Sequence, residues 1–189
     1  MNIKKRIQDS IHTKKKILSD KKLLRQIEKI ADTCITTFRN DGKVLFCGNG
    51  GSAADAQHLA AELSGRFYQD RPPLFAEAMH VNTSFLTAMA NDYSYDEAFA
   101  RMVQAAGRKG DVLIVLSTSG DSTNIIKAVE KANQLGMTTI GLTGSSGGKI
   151  KTLCDITFKA PAKDTPRIQE AHIMVGHIFC EMIEREIFG

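Results

Sequence analysis

At 189 residues the chain is the size of one ordinary domain, and its 42% hydrophobic content can fill a substantial core. The net charge of +4 is gathered at the start, in Lys4, Lys5, Arg6, Lys14, Lys15, Lys16, Lys21, Lys22 and Arg25. Such charges fit the solvated face of amphipathic helices, and with no Trp and no base-stacking aromatic patch they argue against a nucleic-acid binder. The four cysteines, Cys34, Cys47, Cys154 and Cys180, form no CxxC pair or disulfide framework, and Cys47 and Cys154 read as small core residues in strand-like runs. Residues 1–20 are too charged for a secretory signal, and no apolar run approaches the ~20 residues of a membrane helix. A reducing, cytoplasmic setting and no membrane partner are therefore expected.

The first helix is predicted over residues 2–18, with Ile3, Ile7, Ile11 and Leu18 as its apolar stripe. Ser19-Asp20 starts a second, which Leu23, Ile27, Ile30, Cys34 and Phe38 carry to Asn40-Asp41-Gly42. These helices hold no chemistry and are expected to cover a sheet or a neighbouring subunit. Strands are predicted at 43–47, 74–79, 112–116, 137–142 and 154–158, and helices at 52–68, 83–91, 95–106, 123–135 and 166–188. In the last of these Ile168, Ala171, Val175, Ile178 and Met182 read as the buried stripe. Apolar strands alternating with helices indicate a parallel sheet covered on both faces, hence a doubly wound α/β sandwich. Residues 1–189 read as one domain, with 1–40 as a helical extension.

Ligands of such folds bind at the carboxyl ends of the strands. Two glycine- and hydroxyl-rich loops lie at such ends. Ser117-Thr118-Ser119-Gly120-Asp121-Ser122 places four hydroxyls at a strand-to-helix junction, where free N–H groups and the helix dipole favour an anion. A phosphate monoester fits there, although the Gly-Lys-Ser/Thr ending of a nucleotide loop is missing. The other loop, Gly48-Asn49-Gly50-Gly51-Ser52-Ala53, matches G-x-G-x-x-A and raises a dinucleotide site as a rival. That site needs a carboxylate at the end of the next strand, and Asp70, at the right distance, precedes Arg71-Pro72 instead.

The helix after this loop carries His58 and Glu62, which share a face at i and i+4. Both types serve as metal ligands and as proton carriers, and the spacing does not choose between the roles. On the terminal helix Gln169 and His177 are eight residues apart, hence ~80° around the axis and ~12 Å along it. Either they pinch one site between them or they serve sites of different subunits.

Together CGNGGSAADAQHLAAEL, AMANDYSYDE, LSTSGDSTNI, LTGSSGGK and RIQEAHIMVGHIFCEMIE resemble the phosphoheptose isomerase family of sugar-isomerase (SIS) domain proteins, across essentially the whole chain. The resemblance implies a flavodoxin-like three-layer sandwich. The reaction it implies is conversion of sedoheptulose 7-phosphate to D-glycero-D-manno-heptose 7-phosphate, which opens the route to activated heptoses of bacterial surface polysaccharide. It places substrate contacts on Asn49, Gly50, Gly51 and Ser52, on Asn91 and Asp92, on Ser117, Thr118, Ser119 and Ser122, and on Glu62 and Gln169. It places one Zn²⁺ per subunit on His58, Glu62, Gln169 and His177, and a homotetramer with sites at subunit boundaries. Asp121 stands where many relatives have another small polar residue.

Aldose–ketose isomerisation through an enediol needs a base, an acid and an oxyanion stabiliser. Glu62 and His177 are the expected proton carriers. A residue whose lone pair is on zinc is not at the same moment a free base, so either ligands exchange during turnover or the two roles belong to different states. Two other readings stand beside the isomerase: a non-catalytic SIS relative that binds the bacterial replication initiator, which has no need of the His58, Glu62, Gln169 and His177 set, and the dinucleotide-dependent oxidoreductase.

Overall fold

The computed structural model describes residues 2–189. Two capped helices open it. In α1, Ile3–Ser19, the Asn2 side chain accepts the Lys5 amide; in α2, Lys21–Arg39, Asp20 accepts the Lys22 and Leu23 amides. Each satisfies N–H groups that a helix start leaves free. There follow β1 (Val44–Gly48), α3 (Gly51–Ser64), β2 (Ala76–Ala78), α4 (Thr83–Asp92), α5 (Tyr95–Ala106), β3 (Val112–Ser117), α6 (Thr123–Gln134), β4 (Thr138–Thr143), β5 (Ile156–Lys159) and α7 (Thr165–Phe188). A 3₁₀ turn at Ile150–Thr152, which no pattern predicts, precedes β5.

Every strand pair is parallel and the order is β2-β1-β3-β4-β5. This is the expected doubly wound, flavodoxin-like sheet. Its winding reverses between β1 and β3, and a crevice for ligands opens at their carboxyl ends. Alternate residues face opposite layers. Val44, Phe46, Val112, Ile114 and Leu116 pack with α2, α3 and α7, whereas Leu45, Cys47, Leu113 and Val115 pack with α5 and α6. Both faces are covered, which is why these strands are apolar throughout rather than alternating.

Helix α3 stops at Ser64, four residues short of the predicted end. The amides of Phe67, Tyr68 and Gln69 are taken by the Glu184 carboxylate instead of by helical carbonyls. Strand β2 is only three residues long. On α7 the buried stripe runs Ile168, Ala171, Val175, Phe179, Ile183; Ile178 faces outward and Met182 is half-buried, so the expected stripe is corrected beyond Val175. The cause is the packing at Gly176, where Leu59 of α3 fills the space a side chain would occupy and fixes the rotation of α7. Cys47 is a buried strand residue as expected, but Cys154 lies outside β5 and is half-buried.

Helices α3 and α7 run side by side in the same direction. Gly51 meets Gln169, Leu59 meets Gly176, and His58 meets His177. Helix α1 does not reach the sheet with its apolar stripe: Ile3, Ile7, Ile11 and Leu18 are 47–72% exposed. Among the described residues no helix is long and apolar enough to cross a membrane.

Candidate active site

The loop after β3 gathers its hydroxyls around one point. Ser117 Oγ lies 3.5 Å from Ser119 Oγ and 3.4 Å from Ser122 Oγ, and it accepts the Gly120 amide at 3.1 Å. Ser122 occupies the N-cap of α6 yet makes no capping bond, so its hydroxyl points into the loop rather than at its own helix. Free first-turn amides and convergent hydroxyls are what a phosphate monoester needs. Thr118 and Ser119 also line a cavity of about 560 Å³, which they share with Ser145, Ser146, Lys163 and Thr165. Lys163 belongs to no recognisable motif, and only the fold brings it to this cavity.

The loop is held by close backbone packing. Gly120 has φ +73°, and a Cβ there would collide with the Gly147 carbonyl. The Asp121 carboxylate accepts the Lys149 amide at 2.9 Å, which ties the same two loops together. Gly120→Ala is expected to destabilise the fold by at least about 1–2 kcal/mol from the left-handed backbone alone. It is also expected to weaken binding of phosphate esters. Urea denaturation and phosphate titration check the two effects; unchanged phosphate affinity would show that this loop does not hold the anion.

The glycine loop lies beside it across the β1/β3 junction. Gly50, at φ +55°, turns the chain into α3. Gly51 lets the Gln169 carboxamide come close, for a Cβ there would stand 2.5 Å from Gln169 Nε2. Ser52 is buried and packs against Gly48. Asn49 and Asn124 exchange two side-chain hydrogen bonds of 2.9 Å, and the Tyr95 hydroxyl donates to Asn49 Oδ1 at 2.9 Å. Asn124 and Tyr95 escape sequence reasoning because each sits inside an ordinary helical pattern. Asn91 and Asp92, exposed at the end of α4, hydrogen-bond to each other at 2.8 Å and, among the described residues, to neither loop. At the end of β2 stand Met79 and His80, not the carboxylate a dinucleotide site requires.

Further along the paired helices lies the third feature. His58 Nε2 is 2.9 Å from His177 Nε2 and 3.2 Å from Glu62 Oε1. One ligand atom from each of the three lies within 4.8 Å of the others. Two imidazole nitrogens aimed at each other either share a proton or turn their lone pairs to a common cation. Around a tetrahedral ion with bonds near 2.1 Å, neighbouring ligand atoms are about 3.4 Å apart, so small side-chain shifts would admit one, and the donor set suits zinc. The cluster is open to solvent, with the His58 side chain 51% exposed and Glu62 21%. Thus one chain assembles three of the four expected ligands. Its own Gln169 sits at the glycine loop, two turns before His177.

The SIS domain family profile matches residues 9–144. This span holds both loops, His58 and Glu62 but stops short of α7. Over 186 residues the chain is 53% identical to a phosphoheptose isomerase of Aneurinibacillus thermoaerophilus, covering 98% of this chain and 94% of that protein. It is 52% identical to one of Clostridium acetobutylicum, over 99% and 95% of the respective chains. Among solved structures, a phosphoheptose isomerase from Neisseria gonorrhoeae superposes with a TM-score of 0.91 at 42% identity, covering 97% of each chain. One from Francisella tularensis gives 0.93 at 38% identity, over 97% and 96%.

Proposed function

The chain belongs to the phosphoheptose isomerase family of SIS-domain proteins, and on that footing we propose that it converts sedoheptulose 7-phosphate to D-glycero-D-manno-heptose 7-phosphate, the entry step to activated heptoses of surface polysaccharide. The observation that carries the reading is the meeting of Glu62, His58 and His177 on two helices whose first turns border both anion-suited loops. The 7-phosphate is held by Ser117, Thr118, Ser119 and Ser122. Asn49, Gly50, Gly51, Ser52, Asn91, Asp92 and Gln169 contact the sugar, and Asn124 and Tyr95 fix the Asn49 carboxamide.

Isomerisation then moves one proton from C1 to C2 and one between the two oxygens. Glu62 removes the C1 proton while His177 protonates O2, giving the 1,2-enediol. Return of a proton to C2 and loss of the O1 proton give the aldose, and no net proton is consumed. His58, Glu62, Gln169 and His177 would hold a Zn²⁺, which would supply Lewis-acid polarisation of the carbonyl, with Glu62 and His177 leaving the ion for the steps in which they carry protons. Gln169 lies about 12 Å along α7 from His177, which supports a site completed across a subunit boundary. The uncovered Ile3, Ile7, Ile11 and Leu18 support the same assembly, a homotetramer of one-domain chains in the cytoplasm.

Purified protein incubated with sedoheptulose 7-phosphate is expected to form the aldose, to lose that activity to a chelator, and to regain it with zinc. Absence of turnover with zinc added sinks the isomerase reading. Turnover indifferent to the chelator sinks the metal.

A further inference from the structure

A buried ion pair lies two turns of α7 beyond the cluster. Arg71 and Glu184 are 2% and 1% exposed in their side chains, and Arg71 Nε donates to Glu184 Oε1 at 3.0 Å. Glu184 stands on α7 two turns after His177. It also accepts the amides of Phe67, Tyr68 and Gln69 at 3.2, 2.8 and 3.1 Å. Burial opposes its charge, but the Tyr68 amide, the Arg71 side chain and the Phe67 and Gln69 amides outweigh it and hold the carboxyl below its usual range.

The rest of the guanidinium goes to α3. Nη1 donates to the carbonyls of Leu63 at 2.8 Å, Gly65 at 3.2 Å and Pro72 at 3.1 Å, and Nη2 donates to the Glu62 carbonyl at 2.9 Å. Helix α3 has no basic residue in its last turn. The carbonyls of a last turn lack helical partners and favour a cation. Arg71 supplies one from outside the helix, and one of the groups it grips is the backbone of Glu62 itself. Phe67, fastened by its amide to Glu184, sets its ring 5.9 Å from the His177 ring. A buried pair is costly to desolvate and is weak evidence of stabilisation by itself. What this one has is a direct hold on the backbone of Glu62 and, through Phe67, a packing contact with His177.

We propose that Arg71 and Glu184 are positioning residues. Arg71 fixes the last turn of α3 and so the aim of the Glu62 carboxylate, and Glu184, through Phe67, fixes the His177 imidazole. The inference rests on the isomerase reading for its effect on turnover and on the cluster alone for its effect on metal geometry.

The test uses Arg71→Lys and Glu184→Gln in the full-length protein. Steady-state isomerisation of sedoheptulose 7-phosphate gives kcat and KM, and Co²⁺ titration followed by visible absorption reports the ligand geometry without turnover. Supporting groups of this kind typically alter activity or metal affinity by roughly 10- to 100-fold. The expected result for both variants is a fall of that size in kcat, a KM within about twofold because the phosphate loop is untouched, and a changed cobalt spectrum. A lowered melting temperature with kcat and cobalt spectrum unchanged per folded molecule overturns the proposal and leaves a purely structural pair. If neither variant folds, Phe67→Leu, which leaves the ion pair whole, must still change the cobalt spectrum; an unchanged spectrum overturns the proposal. A wild-type chain that binds cobalt but does not isomerise removes the isomerase reading, while the variants' spectra still decide the positioning.

Discussion

Replacing Glu62 with glutamine is expected to lower kcat by roughly 10²- to 10⁴-fold, the contribution of one well-placed acid–base group. The substitution keeps shape and volume, and Glu62 is half-buried with its Oε1 3.2 Å from His58 Nε2, so the last turn of α3 has no steric reason to move. What is lost is the carboxylate's basicity and most of its strength as a ligand. Cobalt titration of the same variant separates these. Weakened binding together with lost turnover assigns Glu62 to the metal as well as to the proton. Intact binding with lost turnover assigns it to the proton alone. Circular dichroism and the unfolding midpoint should match the wild type. Residual activity within tenfold of wild type would remove Glu62 from the proton-transfer step.

The second large effect concerns stability and pH. His172 is fully buried under the sheet's carboxyl end, where its Nε2–H donates to the Thr143 carbonyl at 3.0 Å and its Nδ1 has no protein partner. Burial pushes its pKa down to about 4 from the ordinary 6.5, against the opposing pull of the Thr143 bond. The imidazole is therefore neutral in the fold but protonates in the unfolded chain as the pH falls below 6.5. Stability is fully present above that pH and is lost progressively down to about 4, by an amount on the order of 3 kcal/mol. Glu184, whose carboxyl is depressed, costs stability only below its ordinary value of 4.5, so the window above belongs to the histidines: to His172 and to His80, whose pKa burial also lowers against the pull of Glu77. His172→Gln keeps a donor for Thr143 and removes the titration. Urea midpoints at pH 7 and pH 5 should diverge for the wild type and converge for the variant; an equal slope in both would show that His172 is not the group responsible.

The strands were legible because burial on both faces writes itself as uninterrupted apolar runs. Val112 to Leu116 is the clearest, and it pairs on both sides. Asp20 announced α2 through its capping carboxylate. The sheet order was not legible, since any permutation of parallel strands carries the same runs. The expected α7 stripe failed at Ile178 because period alone cannot tell which neighbour sets the rotation of a helix, and Gly176, which does so by admitting Leu59, reads in sequence as an unremarkable glycine. Phosphate-suited serines are local and visible. His58 and His177, 119 residues apart, were each recognisable as chemistry-bearing, and the family resemblance placed them on one metal, but that a single chain brings them into contact was not legible. Arg71 and Glu184 were invisible, because a lone arginine before prolines and a glutamate late in a charged helix both look like solvated surface.

The parallel seating of α7 against α3 also has a temporal side. The hydroxyl loop is held once β4 and the Gly147–Lys149 segment are in place, but His58 and Glu62 gain their facing imidazole only when the 24-residue α7 docks. Those contacts span more than a hundred residues, and long-range closures come late in folding. A chain leaving the ribosome therefore owns its anion cradle well before its reactive centre. Docking of α7 closes the hydrophobic layer over the sheet and brings the reactive groups together in the same event.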